Sequence, residues 1–223
     1  FQSVYLPSYF DDEKWNWTLK SKSIYYEWWL WFDSSIPETY LWGGWHKEYP
    51  LGWVLYKVYI TKFIGWWDDS IINLIHPIFA YWVIFLIVFW LIQGYVARLT
   101  ILYIITSLPL FSWHAGVAYF DLFVGILLAL IFYNFLKFFE TKNKAYLFII
   151  PWIVSLVINT KNEWIVLVLP ALLPLFYLVT KEKIFTHAKE WLLLFAPLIL
   201  SLPHVLFRII YHLPLNPTSA VAK

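Results

Sequence analysis

The residues of this chain that are most suited to acid–base chemistry are the adjacent carboxylates Asp11, Asp12 and Glu13. A carboxylate beside a hydroxyl group can remove its proton as a general base, so this triplet is a candidate for activating an acceptor hydroxyl. A solvated surface turn is the alternative interpretation of the triplet. Another acid, Asp121, begins a long apolar stretch. It is expected either to cap a helix or to orient the acceptor, a basic side chain or a metal.

Side chains that could hold a phosphate form a second group of candidates. Lys161 lies in the turn Thr160–Glu163 between two apolar stretches, where its ammonium could neutralise a departing phosphate as a point charge. The alternative for Lys161 is a helix-end anchor whose ammonium reaches the lipid headgroups. His46 and His114 are candidates for the same phosphate contact or for purely structural roles.

Aromatic side chains are concentrated in the first part of the chain. Ten of the sixteen Trp residues lie in residues 1–69. Large rings with one polar edge suit the boundary between lipid and water, so some of them are expected to line a sugar- and lipid-binding region. The candidates for this lining, together with one carboxylate, are Trp42, Trp45, Tyr49, Trp53 and Glu163.

The overall composition is that of a membrane protein. Of the 223 residues 61% are hydrophobic and only 13% are charged, and the mean hydropathy is +0.65. A soluble domain has about 25% charged residues. Cysteine is absent, which excludes disulfides and thiolate chemistry. Because the net charge is only +2 and no basic tract is present, nucleic acid is not an expected partner.

The distribution of charge divides the chain into two predicted domains. Nine of the fourteen Asp and Glu residues lie in residues 1–69, which are predicted to form an extracytoplasmic loop with interfacial, juxtamembrane helices. Residues 70–223 are predicted to form a transmembrane bundle of about six spans. The predicted spans are Ile71–Gln93, Leu99–Phe120, Leu122–Leu136, Ala145–Thr160, Trp164–Thr180 and Trp191–Phe207.

The segment 50–66 differs from these stretches because it is short and carries two lysines. Its apolar residues recur at helical spacing, interrupted by Lys57 and Lys62. This pattern predicts an amphipathic helix that lies in the membrane interface, with a tilted span as the alternative.

Lysine and arginine in the short connectors predict the orientation of the chain. Seven of these residues lie in alternate connectors, and Lys161 alone lies in the others. Connectors rich in lysine and arginine remain in the cytoplasm. The candidate residues named above are then expected to share the outer face of a multi-pass protein of the cell membrane.

Four short motifs occur in a set order across residues 7–180. They are Asp12 with Trp17 and Leu19-Lys20-Ser21-Lys22, then His46-Lys47-Glu48-Tyr49-Pro50-Leu51, then Gly116-Val117-Ala118-Tyr119-Phe120-Asp121-Leu122, and finally Thr160-Lys161-Asn162-Glu163. In order and spacing the set resembles the bacterial GT-C membrane glycosyltransferases of the family 39 and protein O-mannosyltransferase-like group.

The resemblance implies a GT-C-like all-α bundle and an inverting transfer of sugar from a polyprenyl-phosphate-linked donor to a lipid, glycan or protein acceptor. Asp12 matches the base of that family, with Asp11 and Glu13 left as alternatives. No cofactor is implied with certainty, and a divalent metal is left open. Because the family has a transmembrane helix before the matched part and more sequence after it, the chain is expected to be a fragment.

Three other functions are compatible with the same composition. The chain could be a transporter, a non-catalytic anchoring subunit, or a polymerase or ligase of surface polysaccharide that uses similar lipid-linked donors. Transporters place their polar residues near the middle of the bilayer on broken helices. The charged residues here lie at the ends of the predicted spans on one side, which favours chemistry at the membrane surface.

Overall fold

The computed structural model describes residues 17–27, 50–116, 120–160, 164–181 and 184–210, and these residues form helices and their connections without a strand. The predicted all-α class is therefore confirmed for the described part of the chain. In chain order the helices are α1 (Leu19–Glu27), α2 (Gly52–Ile64), α3 (Asp69–Leu91), α4 (Tyr95–Ser107), α5 (Pro109–Gly116), α6 (Phe120–Thr141), α7 (Ala145–Ile158), α8 (Trp164–Lys181), α9 (Ala188–Phe195), a 3₁₀ helix (Ala196–Ser201) and α10 (Leu202–Ile210).

Several of these helices are long and apolar enough to cross a membrane. They are α3, most of α6 (Asp121–Thr141) and the continuous stretch Ala188–Leu206. The pair α4 and α5 passes the same test when taken together, but its two parts are bent by 71°. Two further apolar helices, Ala145–Ile158 and Val168–Thr180, are shorter. The described residues thus contain three or four helices of spanning length, fewer than the six that the sequence predicts.

The bend between α4 and α5 occurs at Pro109, inside the stretch 99–120 that was predicted to be one span. A proline disfavours helical backbone angles at the residue before it. Accordingly α4 ends at Ser107, and Leu108 is extended, with φ −62° and ψ 121°. The Ser112 hydroxyl donates a hydrogen bond of 2.6 Å to the Thr106 carbonyl, so a polar side chain satisfies one backbone group at the break.

The chain forms two compact units, which divide within α6 after Phe123. In the first unit α1 packs on α2, where the buried Ser21 hydroxyl donates to the Val54 carbonyl at 3.2 Å. Gly65 ends α2 with φ +97°, a left-handed conformation that other residues rarely adopt. Asp68 then caps α3 by accepting hydrogen bonds from the backbone N–H groups of Ser70 and Ile71. This short turn fixes the direction in which α3 leaves α2.

The second unit contains the rest of α6 and the helices from α7 onward. Its core is apolar along α7, which is buried at Leu147, Ile150 and Val154. The Ser155 hydroxyl on α7 donates to the Pro197 carbonyl at 2.6 Å, and this carbonyl belongs to the 3₁₀ helix. Side chains of α7 therefore satisfy backbone groups where the last apolar stretch departs from α-helical geometry.

Candidate functional site

A lysine lies inside the first unit. The side chain of Lys57 is 1% exposed, and its Nζ donates to Thr18 Oγ1 at 2.8 Å and to Asn73 Oδ1 at 3.0 Å. Thr18 immediately precedes α1, Lys57 lies on α2 and Asn73 lies on α3. One ammonium group thus connects three segments of the unit.

The position of Lys57 on α2 explains its burial. Residues 53, 54, 57 and 61 are the buried residues of this helix and recur at helical spacing, so they share the face that packs into the unit. Lys57 was predicted to interrupt an interfacial helix. Instead its ammonium points into the unit, where the Thr18 hydroxyl and the Asn73 amide replace part of the water that it loses.

A buried histidine lies next to this lysine. His76 is 1% exposed and follows Asn73 by three residues on α3, so the two side chains lie on the same face. The His76 ring meets the Trp53 ring edge-on, with 5.6 Å between the ring centroids. Lys57 and the backbone of His114 also lie close enough to His76 to interact with it electrostatically.

Aromatic rings form the wall of this polar cluster. Trp53 stacks on Tyr56 at 4.6 Å and lies 5.6 Å from the Phe123 ring, while Phe123 also lies 6.3 Å from the His76 ring. Trp53 was predicted to line a sugar- and lipid-binding region, and the structure places it in this wall with only 5% of its surface exposed. Because burial in the wall does not test sugar binding, that role of Trp53 stays a prediction.

The cluster lies near one end of the first apolar helix. At 1.5 Å per residue, Asn73 lies about 6 Å and His76 about 10 Å along α3 from Asp69, whereas the whole helix is about 34 Å long. If α3 spans a bilayer, these polar groups lie near a membrane surface and not at the midplane. An ionisable residue in such surroundings is costly, and residues of this kind usually mark a functional site.

The bent pair α4 and α5 leads back to this end of α3. Helix α4 begins at Tyr95, close after the end of α3 at Leu91. The Phe111 ring on α5 meets the Tyr81 ring of α3 edge-on at 5.3 Å, and His114 at the end of α5 approaches His76. The pair therefore runs along most of α3 in the opposite direction, as a broken span would.

Two of the predicted site residues lie close to the cluster in the chain or in space. His114 is in the last turn of α5 and packs edge-on against Trp113 at 5.0 Å. Asp121 is exposed in the first turn of α6, two residues before Phe123. The structure thus brings His114 to the polar cluster and places Asp121 on the helix turn that supplies part of its aromatic wall.

The other predicted residues lie outside the described part of the chain. Their proposed roles in acid–base chemistry, phosphate binding and sugar binding remain predictions. They are Asp11, Asp12, Glu13, Trp42, Trp45, His46, Tyr49, Lys161 and Glu163. Within the described residues no group of three or more histidine and carboxylate side chains is placed to hold a metal ion.

A second set of contacts joins α1 to α2 and to the start of α3. Lys22 Nζ pairs with Asp69 Oδ2 at 3.0 Å and lies 5.6 Å from the centre of the Trp67 ring. The Lys62 ammonium lies over the Tyr25 ring at 4.5 Å. Lysines with Trp and Tyr at the start of an apolar helix are typical of a membrane interface, so these contacts are suited to anchor α3 at the lipid headgroups.

Sequence reasoning missed four members of the polar cluster. The sequence pattern predicts Lys57 only as a charge on an interfacial helix, and it does not mark Thr18, Asn73 or His76 as candidates. Asn73 and His76 carry a usable signal, because they are polar, three residues apart and inside a stretch without charged residues. Thr18 and Lys57 carry no comparable signal in the sequence.

Comparisons with other proteins add no further identification. No protein-family model, no curated protein and no solved structure matches this chain. The GT-C resemblance accordingly rests on the four sequence motifs.

Proposed function

We propose that this protein is a membrane glycosyltransferase of the GT-C type. It transfers a sugar from a polyprenyl-phosphate-linked donor to a hydroxyl group of a lipid, glycan or protein acceptor at the outer face of the membrane. The observation that carries the proposal is the buried polar cluster of Lys57, Asn73 and His76, which lies near one end of an apolar helix of spanning length.

The depth of this cluster suits a lipid-linked donor. The phosphate of such a donor lies at the membrane surface, while its polyprenyl chain lies in the hydrocarbon. A cluster about 6–10 Å from the start of α3 is at the level of the headgroups or just below them.

The reaction assigned to the site is a single displacement. A carboxylate, taken to be Asp12, removes the proton of the acceptor hydroxyl, and the oxygen attacks the anomeric carbon from the face opposite the phosphate. The new bond joins the acceptor oxygen to that carbon. The bond from that carbon to the phosphate oxygen breaks, and the polyprenyl phosphate leaves with the electron pair. The configuration at the anomeric carbon is therefore inverted.

The remaining predicted residues have supporting roles in this proposal. Lys161, His46 and His114 stabilise the negative charge of the departing phosphate. Asp121 orients the acceptor. The residues that line the sugar and the lipid headgroup are Trp42, Trp45, Tyr49, Trp53 and Glu163.

Lys57 acts in the proposal as a positioning residue. Its hydrogen bonds to Thr18 and Asn73 hold α2 against the segment before α1 and against α3. The same contacts fix the face of α3 that carries His76. Small displacements of groups that surround a reacting centre strongly reduce the rate. Loss of the Lys57 hydrogen bonds is therefore expected to lower turnover.

The experiment compares transfer by the purified protein with transfer by two variants of α2. Lys57→Met removes the buried ammonium, and Lys62→Met removes an exposed one from the same helix as a matched control. Each protein is supplied with a panel of polyprenyl-phosphate-linked sugars, and the anomeric configuration of the product is read by NMR. Thermal unfolding of each variant is measured in parallel.

The expected result is an inverted glycoside from the unmodified protein and from Lys62→Met. Lys57→Met is expected to lose at least tenfold in turnover at a temperature where it is still folded. Failure of the folded, unmodified protein to transfer sugar from every donor of the panel would contradict the proposal, as would a product that retains the donor configuration.

A transporter is the second candidate function, because one observation favours it. The helix pair α4 and α5 is bent by 71° at its break, and transporters commonly build their substrate sites from interrupted helices. Reconstitution into vesicles separates the two functions. A transporter accumulates unmodified substrate inside the vesicles, whereas a glycosyltransferase converts the donor without accumulation.

A further inference from the structure

The second unit contains an apolar groove with a cavity volume of about 670 Å³. One wall is the end of α6 and the other is the second half of α8, and Ile184 lies after α8 at the margin of the groove. The side chains that line it are Phe138, Phe139, Lys142, Leu173, Pro174, Tyr177, Leu178 and Ile184. Leu173 and Tyr177 are 64% and 56% exposed, so this side of α8 presents apolar surface to its surroundings.

Lys142 is the one charged residue of this lining and follows directly after the last residue of α6. Its backbone is left-handed, with φ +57°, and its N–H donates to the Phe138 carbonyl at 2.7 Å. This conformation closes the end of the helix in the way that is common at helix C-termini. The Lys142 ammonium lies 5.9 Å from the centre of the Phe138 ring and 5.7 Å from that of Phe139.

Two neighbouring lysines pair with glutamates, whereas no glutamate in the described part of the chain pairs with Lys142. Lys137 pairs with Glu140 at 2.7 Å, and Lys144 pairs with Glu190 at 2.9 Å. No carboxylate among the described residues pairs with Lys142, whose contacts are the two aromatic rings. The groove therefore combines an apolar wall with a positive charge at one end that no carboxylate of the described residues pairs with.

We propose that this groove binds an anionic phospholipid of the bilayer. The lipid phosphate contacts the Lys142 ammonium, and one acyl chain lies along the exposed faces of Phe139, Leu173 and Tyr177. Charge and apolar surface are arranged as in the basic pockets between transmembrane helices that hold acidic lipids. The lining of this groove contains none of the residues that are assigned to the proposed sugar transfer. The inference is therefore independent of the proposed sugar transfer.

The test measures lipid retention by native mass spectrometry. The full chain is purified in detergent and offered equal amounts of phosphatidylglycerol and phosphatidylcholine. Lys142→Asn removes the charge and keeps a residue that tolerates the left-handed conformation. Lys189→Asn is the matched control, because Lys189 is exposed, adjoins Glu190 and does not line the groove. Leu173→Trp fills the groove without a change of charge.

The unmodified chain is expected to retain phosphatidylglycerol in preference to phosphatidylcholine. Lys142→Asn is expected to lower phosphatidylglycerol retention about fivefold, the effect of one lysine at an anionic membrane surface, while Lys189→Asn leaves it unchanged. Leu173→Trp is expected to lower the retention of both lipids. Equal retention of the two lipids by the unmodified chain would overturn the proposal. Equal losses in Lys142→Asn and Lys189→Asn would overturn it too, and so would normal retention in Leu173→Trp.

Discussion

Lys57 on α2 and Asn73 on α3 are joined by a hydrogen bond of 3.0 Å from the ammonium Nζ to the amide Oδ1, and both side chains are almost completely buried. The same ammonium donates to Thr18 at 2.8 Å. A charge in an apolar unit is stable only when hydrogen bonds or opposite charges replace its hydration. This contact therefore holds α2 against α3. It also fixes the face of α3 on which His76 lies.

A double-mutant cycle across Lys57 and Asn73 is the first prediction. Lys57→Met and Asn73→Leu are each expected to lower the free energy of unfolding by about 1–3 kcal/mol, because each removes a buried hydrogen bond that involves a charged group. The double variant is expected to lose less than the sum, with a coupling of about 0.5–3 kcal/mol. Unfolding in detergent, followed by near-UV circular dichroism, measures the effect, and strictly additive losses would show that the two side chains act separately.

The path of the bent pair α4 and α5 can be tested by cysteine labelling, since the chain has no natural cysteine. Cysteines are placed singly at Trp66, before α3, and at Asn143, after α6, and both positions are exposed. If α3, the bent pair and α6 each cross the membrane, an impermeant reagent reaches only position 66 from outside intact cells. Labelling of both positions from the same side would instead identify the pair as a re-entrant loop.

A substitution of Asp121 can distinguish a catalytic role of this residue from a purely structural role at the start of α6. It lies in the first turn of α6, where a carboxylate favours the helix dipole by about 0.3–1 kcal/mol. If Asp121 orients the acceptor, Asp121→Asn lowers turnover at least tenfold and leaves thermal stability nearly unchanged. A variant with normal turnover and slightly lower stability would return Asp121 to the helix-dipole role alone.

Lys161 is predicted to contact the donor phosphate. Lys161→Ala is expected to weaken donor binding and to remove about 2–4 kcal/mol of transition-state stabilisation, which is typical of a lost charge-stabilising group. Lys189→Ala removes an equal charge from the first turn of α9 and is the control. Steady-state kinetics with varied donor concentration measures both effects, and equal behaviour of the two variants would leave Lys161 as a helix-end anchor.

The helical class and the apolar stretches follow from the sequence because both depend on local composition. The break at Pro109 could not be predicted with the same certainty from proline alone. Pro77 and Pro151 lie inside continuous helices, whereas Pro109 ends one. Whether neighbouring groups satisfy the freed carbonyl decides between these outcomes, and such contacts come from residues that are distant along the chain.

The buried polar cluster could not be predicted from the sequence for a similar reason. The sequence predicts that Lys57 is a surface charge, because it lies in a segment with the pattern of an amphipathic helix. Its burial depends on Thr18, 39 residues earlier, and on Asn73, 16 residues later. Only the packing of α1, α2 and α3 brings these three together. His114 could be proposed as a candidate from its position at the end of a predicted span, but its approach to His76 depends on the bend at Pro109.

The most direct test of the proposed chemistry is the turnover of Asp12→Asn in sugar transfer from a polyprenyl-phosphate-linked donor. The amide keeps the shape of the carboxylate but cannot accept the proton of the acceptor hydroxyl. Turnover is therefore expected to fall by about 10²–10⁴ while donor binding and folding survive. Asp11→Asn and Glu13→Gln are the matched controls, and they are expected to reduce turnover much less. Near-normal turnover in Asp12→Asn, with folding intact, would contradict the assignment of Asp12 as the base.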